Sequence, residues 1–328
     1  MERRRVGRTE IEVSTIALGC WPMGGDYWGD ADDGESIRTI HRALELGVDF
    51  LDTAPAYGNG HSEEVVGRAL RGRRADAVIS TKASGAGHTE EELRRKLAES
   101  LERLNTDYVD VYFLHWPSRS EPLGAAIEAL ERMRADGMIR AIGVSNFDVS
   151  MLEMASKYGT VDILQPPYNL IWRFIEEDVL PYCVEHGIAI CTYSSVAQGI
   201  LAGAVRLDTR YPAGDMRRSS VLWKPENLGK CLYTAERVRA LAKELGVTSA
   251  QLALRWLISQ PGVTAALVGA RTVAELEENA GVFGWEYSEQ TAERLQEISD
   301  EVYRSMPYYY DMWENWTSWQ KRGPQRER

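Results

Sequence analysis

The sequence predicts an α/β chain folded as a (β/α)8 TIM barrel, with an N-terminal β-hairpin, a long loop after the seventh strand and an extra C-terminal helix and tail. Three observations carry that prediction. Short apolar runs and helix-like stretches alternate eight times. The runs are β-branched or aromatic-rich, as strands buried on both faces should be. The turn after the first run, "LGCWPMGGD", has glycines at 19, 24 and 25, the wrong spacing for the GxGxxG of an open dinucleotide-binding sheet.

The stretch "RRVGRTEIEVSTIALG" alternates around a Gly-Arg-Thr-Glu turn and reads as a hairpin leading into the first strand, "IALG". The strands "VDFLDT", "AVISTK", "YVDVYFLH", "AIGVS", "DILQ", "IAICTYS" and "TAALVG" follow. Helix-like stretches take turns with them: "SIRTIHRALEL", "SEEVVGRALRG", "TEEELRRKLAESLERL", "LGAAIEALERMRADG", "VSMLEMASKY", "EEDVLPYCVEH", "AERVRALAKELG" and "VAELEENA". Thr89 and Glu92 make a capping-box signature, and Gly47, Gly72 and Gly137 stand where helices should stop. No linker rich in Pro, Gly or Ser interrupts the alternation, so residues 1–328 read as one domain. Two segments exceed the barrel: a loop of more than 30 residues after "TYSSVAQGILAG", and a last helix "SEQTAERLQEISDEVYRS" with an aromatic tail over 306–328. Long loops in a compact barrel are usually functional.

Composition narrows the functional classes. Lys plus Arg number 38 against 49 Asp plus Glu, a formal charge of -11, so a polyanion would meet net repulsion and nucleic acid is not expected as a partner. Cys20, Cys183, Cys191 and Cys231 form no CxxC pair and no Cys/His metal spacing, which argues against a disulfide framework or metal site and fits a reducing, cytoplasmic setting. The opening "MERRRVGRTEIEV" has no apolar signal-peptide core, and no run of about 18 apolar residues occurs, so neither secretion nor membrane spanning is expected.

In such a barrel the chemistry lies at the C-terminal strand ends. The polar residues there are Asp52 and Tyr57 after the second strand, Lys82 after the third and His115 after the fourth; then Ser145, Asn146, Gln165, Tyr193, Ser194, Gly269 and Arg271. Each alone reads as a cap, a packing residue or a solvated end. Unrelated caps have no reason to share one face, and these do. A lysine ammonium beside a tyrosine should stabilise the phenolate and lower the phenol pKa, with Asp52 holding the lysine charged. His115 could bond the same oxygen that the tyrosine protonates. The set has no nucleophile with its base, no metal cage and no glycosidase carboxylate pair. It delivers a proton to an oxygen that gains negative charge, as a carbonyl does when a cofactor's hydride reaches its carbon.

The motifs "FLDTAPAYGNGHSEEVVG", "STK", "DYVDVYFLHWP", "GMIRAIGVSNF", "QPPYNL", "YSSVAQGIL" and "VGARTVAELEEN" occur in an order that resembles the aldo-keto reductases, up to about residue 281. The resemblance implies a barrel that binds a nicotinamide cofactor and reduces aldehydes or ketones. It places the family's catalytic tetrad on Asp52, Tyr57, Lys82 and His115, with Tyr57 as general acid. It places the carboxamide on Ser145, Asn146 and Gln165, the nicotinamide ring against Tyr193, and further cofactor contacts at Ser194, Val196 and Gly199. Gly269, Arg271, Glu275, Glu278 and Asn279 would line the adenosine end. A guanidinium at Arg271 suits a 2′-phosphate, which favours NADP(H), with NAD(H) as the alternative.

The sequence departs from the family where many relatives read "SPL" and this chain has Ser194, Ser195 and Val196, and where many carry lysine and this chain has Ala204. Arg217 or Arg218 could serve the pyrophosphate instead. Trp28 and Trp116 are expected to wall the substrate, a small carbonyl or alcohol compound. Trp313, Trp316 and Trp319, at three-residue spacing, would offer a helical tail covering the mouth, or pack against the barrel or a partner subunit. Two alternative functions stay open: a cofactor-binding redox-sensor subunit, and a sugar or alcohol dehydrogenase.

Overall fold

The computed structural model describes residues 1–26, 29, 31–118, 121–309 and 311–313. The chain opens with the antiparallel pair β1 (Arg3–Arg5) and β2 (Glu12–Ser14). Then come β3 (Ile16–Gly19), α1 (Asp33–Glu45), β4 (Phe50–Asp52), α2 (His61–Ala69), β5 (Val78–Ala83), α3 (Glu90–Leu104), β6 (Val109–Leu114) and α4 (Leu123–Ala135). The second half runs β7 (Ile139–Ser145), α5 (Val149–Ala155), β8 (Ile163–Gln165), α6 (Val179–His186), β9 (Ala189–Thr192), α7 (Pro225–Leu245), α8 (Ser249–Ile258), β10 (Val263–Gly269), α9 (Val273–Ala280) and α10 (Glu289–Ser305). Strands β3 to β10 pair in parallel and close into a barrel, β10 meeting β3 at Gly269 opposite Gly19.

The strands carry apolar residues on both faces because both faces are buried. Ala17, Phe50, Val111, Phe113, Ile163 and Leu267 belong to the buried cluster shared with Val6, Ile11 and Val13 of the hairpin, which thereby plugs one end of the barrel. Their neighbours Leu18, Leu51, Tyr112, Leu164 and Val268 pack with the surrounding helices. Gly143 makes room for the first cluster: a Cβ there would lie 2.4 Å from Cδ1 of Phe113.

Helix ends follow the expected chemistry. Thr89 and Glu92 form the reciprocal capping box of α3, and Gly47, Gly72 and Gly137 each adopt positive φ after α1, α2 and α4. The strict alternation is corrected at one place, because two helices, α7 and α8, lie between β9 and β10. Helix α7 begins at Pro225, ten residues before "AERVRALAKELG", and α8 covers "SAQLALRWLI" behind a Thr248–Gln251 capping box. Its length lets α7 return the long loop to the barrel wall, where α10 packs on it.

At the hairpin end, side chains bind alternate strand seams. Asp49 accepts the Ser14 N–H at 2.9 Å, Asp110 that of Ile79 at 2.9 Å, Asp162 that of Ile142 at 2.8 Å, and Thr264 Oγ1 that of Ile190 at 3.3 Å. Arg3 pairs with Asp49, Arg74 and Arg140 with Asp110, and Arg134 with Asp162. The buried carboxylates of Asp110 and Asp162, and the partly buried one of Asp49, thus each receive both a hydrogen bond and a counter-charge. Among the described residues no helix is long and apolar enough to cross a membrane, and no group of three or more His, Cys, Asp or Glu is placed to hold a metal ion. All four cysteines are free and buried.

Candidate active site

The opposite end of the barrel holds a cavity of about 600 Å³. The loop after β4 supplies Tyr57, and a close backbone crossing fixes that loop. A Cβ on Gly58, at φ 62°, would lie 2.0 Å from the Gly24 carbonyl oxygen, and one on Gly24 would lie 2.7 Å from the Gly58 nitrogen. Larger residues at either position would push the two loops apart.

Beneath the cavity, Lys82 Nζ donates to Asp52 Oδ2 at 2.6 Å, to the Thr53 carbonyl at 2.9 Å and to Tyr57 OH at 3.0 Å. Asp52 Oδ1 also accepts from Ser80 Oγ at 2.8 Å and Gln165 Nε2 at 3.0 Å. The ion pair is wholly buried, with side-chain exposures of 0% and 1%, so its geometry is fixed by four surrounding polar groups. Burial works most strongly against the ammonium, but Asp52 and then Tyr57 outweigh it and hold Lys82 protonated.

Burial is the largest influence on Tyr57 and pushes its phenol up to about 12, against the pull of Lys82. The lowered phenol expected from the sequence is therefore corrected. The phenol is buried, Trp21 stacks on its ring at 5.0 Å and 15°, and Asp52 opposes the lysine's effect on the phenolate. Burial, reinforced by Lys82, lowers His115 well below its usual value and keeps the imidazole neutral. Its ring meets Tyr57 edge-on at 6.1 Å.

One wall is a chain of hydrogen bonds. Tyr193 OH donates to Asn146 Oδ1 at 2.8 Å; Asn146 Nδ2 donates to Ser145 Oγ at 3.0 Å and to the His115 carbonyl at 3.3 Å; Ser145 Oγ donates to the Gln165 carbonyl at 2.8 Å. Asn146, Ser194 and Gln198 line the cavity with φ of 62°, 53° and 55°, left-handed conformations that non-glycine residues adopt at a cost of about 1–2 kcal/mol each. Backbone strain of this kind concentrates at functional sites.

Ser194, Val196, Gly199, Ala204 and Arg217 line the next stretch. Arg217 is held by Asp215 through Nε at 2.8 Å and Nη2 at 2.5 Å and lies 3.7 Å from the Tyr211 ring centre. Gly269, Arg271, Glu275, Glu278 and Asn279 close the far end. There Arg271 bonds Glu275 at 3.2 Å with its side chain 59% exposed, and Asn279 Nδ2 donates to the Gly269 carbonyl at 3.3 Å.

The structure thus brings Asp52, Tyr57, His115, Trp116 and the whole predicted cofactor set around one cavity, with Lys82 directly behind Tyr57. Trp28, Trp316 and Trp319 lie outside the described residues. Trp313 lies in a turn, and it stacks on Tyr193 at 5.8 Å and 14°; the helical spacing expected from Trp313 to Trp319 falls outside the described residues. Trp21 and Met216 line the cavity without having been singled out from the sequence. Trp21 was accessible to the strand-end rule, since it stands two residues beyond β3; Met216 sits in the long loop, which carries no such signal.

Residues 15–300 match the sequence model of the Aldo/keto reductase family. The chain is 35% identical to the aldo-keto reductase YhdN of Bacillus subtilis (strain 168), over 91% of this chain and 93% of that protein. It is 32% identical to the NADH-specific methylglyoxal reductase of Escherichia coli (strain K12), over 93% and 100%. Among solved structures it is similar to the glycerol dehydrogenase AKR11B4 from Gluconobacter oxydans, with a TM-score of 0.83 and 32% identity over 94% of this chain and 97% of that one.

Proposed function

Because the chain belongs to the aldo/keto reductase family and is an oxidoreductase, we propose that it reduces an aldehyde or ketone to an alcohol with NADP(H), Tyr57 acting as the general acid. The observation that carries this reading is the Asp52–Lys82–Tyr57 relay, 2.6 Å and 3.0 Å long, ending at a cavity that also holds neutral His115 and the amides of Asn146 and Gln165.

The residues present fit a nicotinamide cofactor. The amide and hydroxyl groups of Ser145, Asn146 and Gln165 match a carboxamide, the Tyr193 ring a flat heterocycle, and Arg271 a phosphate at the other end. When bound, such a cofactor supplies the hydride. The protein's own residues do the rest. Tyr57 stays protonated at neutral pH and remains a stronger acid than the alcohol it would form. Lys82 stabilises charge that develops on the phenol oxygen, and Asp52 keeps that lysine in place. His115 polarises the carbonyl by donating a hydrogen bond. Trp21 and Trp116 supply apolar walls that exclude water and seat the substrate.

Similarity to a glycerol dehydrogenase favours one further reading, in which the same site oxidises an alcohol and the Tyr57 phenolate accepts the proton. The test is purified protein with NADPH or NADH and a carbonyl panel, against NADP⁺ or NAD⁺ and an alcohol panel. Faster carbonyl turnover with NADPH at neutral pH is expected. Cofactor binding without turnover of either panel would reject both readings.

A further inference from the structure

His115 is held at three points, and the third lies outside the cavity lining. Its backbone N–H donates to the Ala83 carbonyl at 3.2 Å, and its carbonyl accepts from Asn146. The third contact joins ring Nδ1 to Ser84 Oγ at 2.9 Å. Strand register makes this contact unavoidable: Lys82 pairs with Phe113 and Ala83 with Leu114, so the next residues, Ser84 and His115, come out of the barrel side by side.

A neutral imidazole carries one N–H, so what one nitrogen does decides the other. With Nδ1 taken by Ser84, Nε2 is left for the cavity. A hydroxyl can donate or accept, and the two cases have opposite chemistry. If Ser84 accepts, Nδ1 holds the proton and Nε2 is a lone pair that would repel a carbonyl oxygen. If Ser84 donates, Nε2 holds the proton. We propose that Ser84 is a positioning residue whose hydroxyl donates to Nδ1, fixing His115 in the Nε2–H tautomer that can bond a carbonyl oxygen. This assignment rests on the carbonyl reading above for its purpose, though not for its measurement.

The experiment uses the full chain labelled with 15N-histidine. The sequence has five histidines, and a His115→Gln variant identifies the signal in question. In the unsubstituted protein Nδ1 should show the shift of an unprotonated nitrogen and Nε2 that of a protonated one. In Ser84→Ala the two tautomers should mix, and kcat for carbonyl reduction should fall about two- to tenfold, the effect of one hydrogen bond. KM for NADPH should not move. Ser84→Thr, which keeps the hydroxyl, should restore both tautomer and kcat. A protonated Nδ1 in the unsubstituted protein, or a Ser84→Ala variant with unchanged tautomer and kcat, overturns the proposal. Lack of turnover with Nε2–H intact would reject carbonyl reduction while supporting the tautomer assignment.

Discussion

Replacing Tyr57 by phenylalanine removes one oxygen and leaves the ring, so fold and chemistry can be read separately. Lys82 loses its 3.0 Å contact to the phenol but keeps Asp52 at 2.6 Å and the Thr53 carbonyl at 2.9 Å. The stability cost should be that of one hydrogen bond, about 0.5–1.5 kcal/mol, and the stack on Trp21 should persist. Loss of the proton donor should lower kcat roughly 10²- to 10⁴-fold, equivalent to about 3–5 kcal/mol of barrier. Cofactor affinity should stay near normal, because the phenol is not among the groups proposed to hold the cofactor. Steady-state NADPH oxidation, fluorescence titration of the cofactor and thermal melting measure the three quantities. In the unsubstituted protein the phenol, pushed up to about 12, stays protonated through neutral pH. Reduction should therefore lose no rate through Tyr57 between about pH 6 and 9. A phenylalanine variant that binds cofactor and keeps more than about a tenth of the rate would refute the assignment of Tyr57 as the acid.

Arg271→Ala should weaken NADPH about tenfold, the lower end for a charge-assisted phosphate contact because the side chain is exposed, and change NADH less than about twofold; equal losses in a fluorescence titration would count against a 2′-phosphate role. Asp52→Asn should destabilise the protein by about 3–5 kcal/mol in denaturant titration, since it strips a buried ammonium of its counter-charge; a loss below about 1 kcal/mol would mean that the lysine is not held as an ion pair. Trp313→Ala should raise KM for an aromatic carbonyl about two- to tenfold with little change in melting temperature, and an unchanged KM would remove the tail from the substrate's path. This substitution is cleaner than deleting 306–328, because Met306, Asp311 and Met312 are buried and a truncation would open the core.

The barrel was legible because burial on both strand faces leaves a direct mark: runs such as "YVDVYFLH" have no solvent side to encode. The convergence of Asp52, Lys82 and His115 on one barrel end was legible for a related reason, since each is a charged or titratable residue at the C-terminal end of a strand run. Helix α8 was missed although Thr248 and Gln251 announce it, because only Gln251 and Arg255 within it are part-exposed, which leaves a narrow polar stripe in an otherwise apolar, strand-like run. The rise in the Tyr57 pKa could not be read from sequence. It depends on how far water is excluded around the phenol, and Trp21 reaches that ring through a loop crossing set by Gly24 and Gly58. Trp313 was expected near the mouth, but its stacking on Tyr193 depends on where the chain runs after α10.

The N–H bonds accepted by Asp49, Asp110, Asp162 and Thr264 fall on every second seam of the barrel and so mark out four quarters, each a strand pair with its own internal fastening, with the Arg140–Asp110 ion pair reaching from the third quarter to the second. A cut in the connection before β7 would pass between quarters, leaving two fastened pairs in each fragment; a cut between β5 and β6 would part Ile79 from the carboxylate that caps it. Half-barrels divided at the first place should reassemble when mixed more readily than those divided at the second. The division runs across the cavity end as well: Asp52 and Lys82 belong to neighbouring quarters, so the buried ion pair behind Tyr57 is also a rivet between two pieces that those four side-chain bonds do not join.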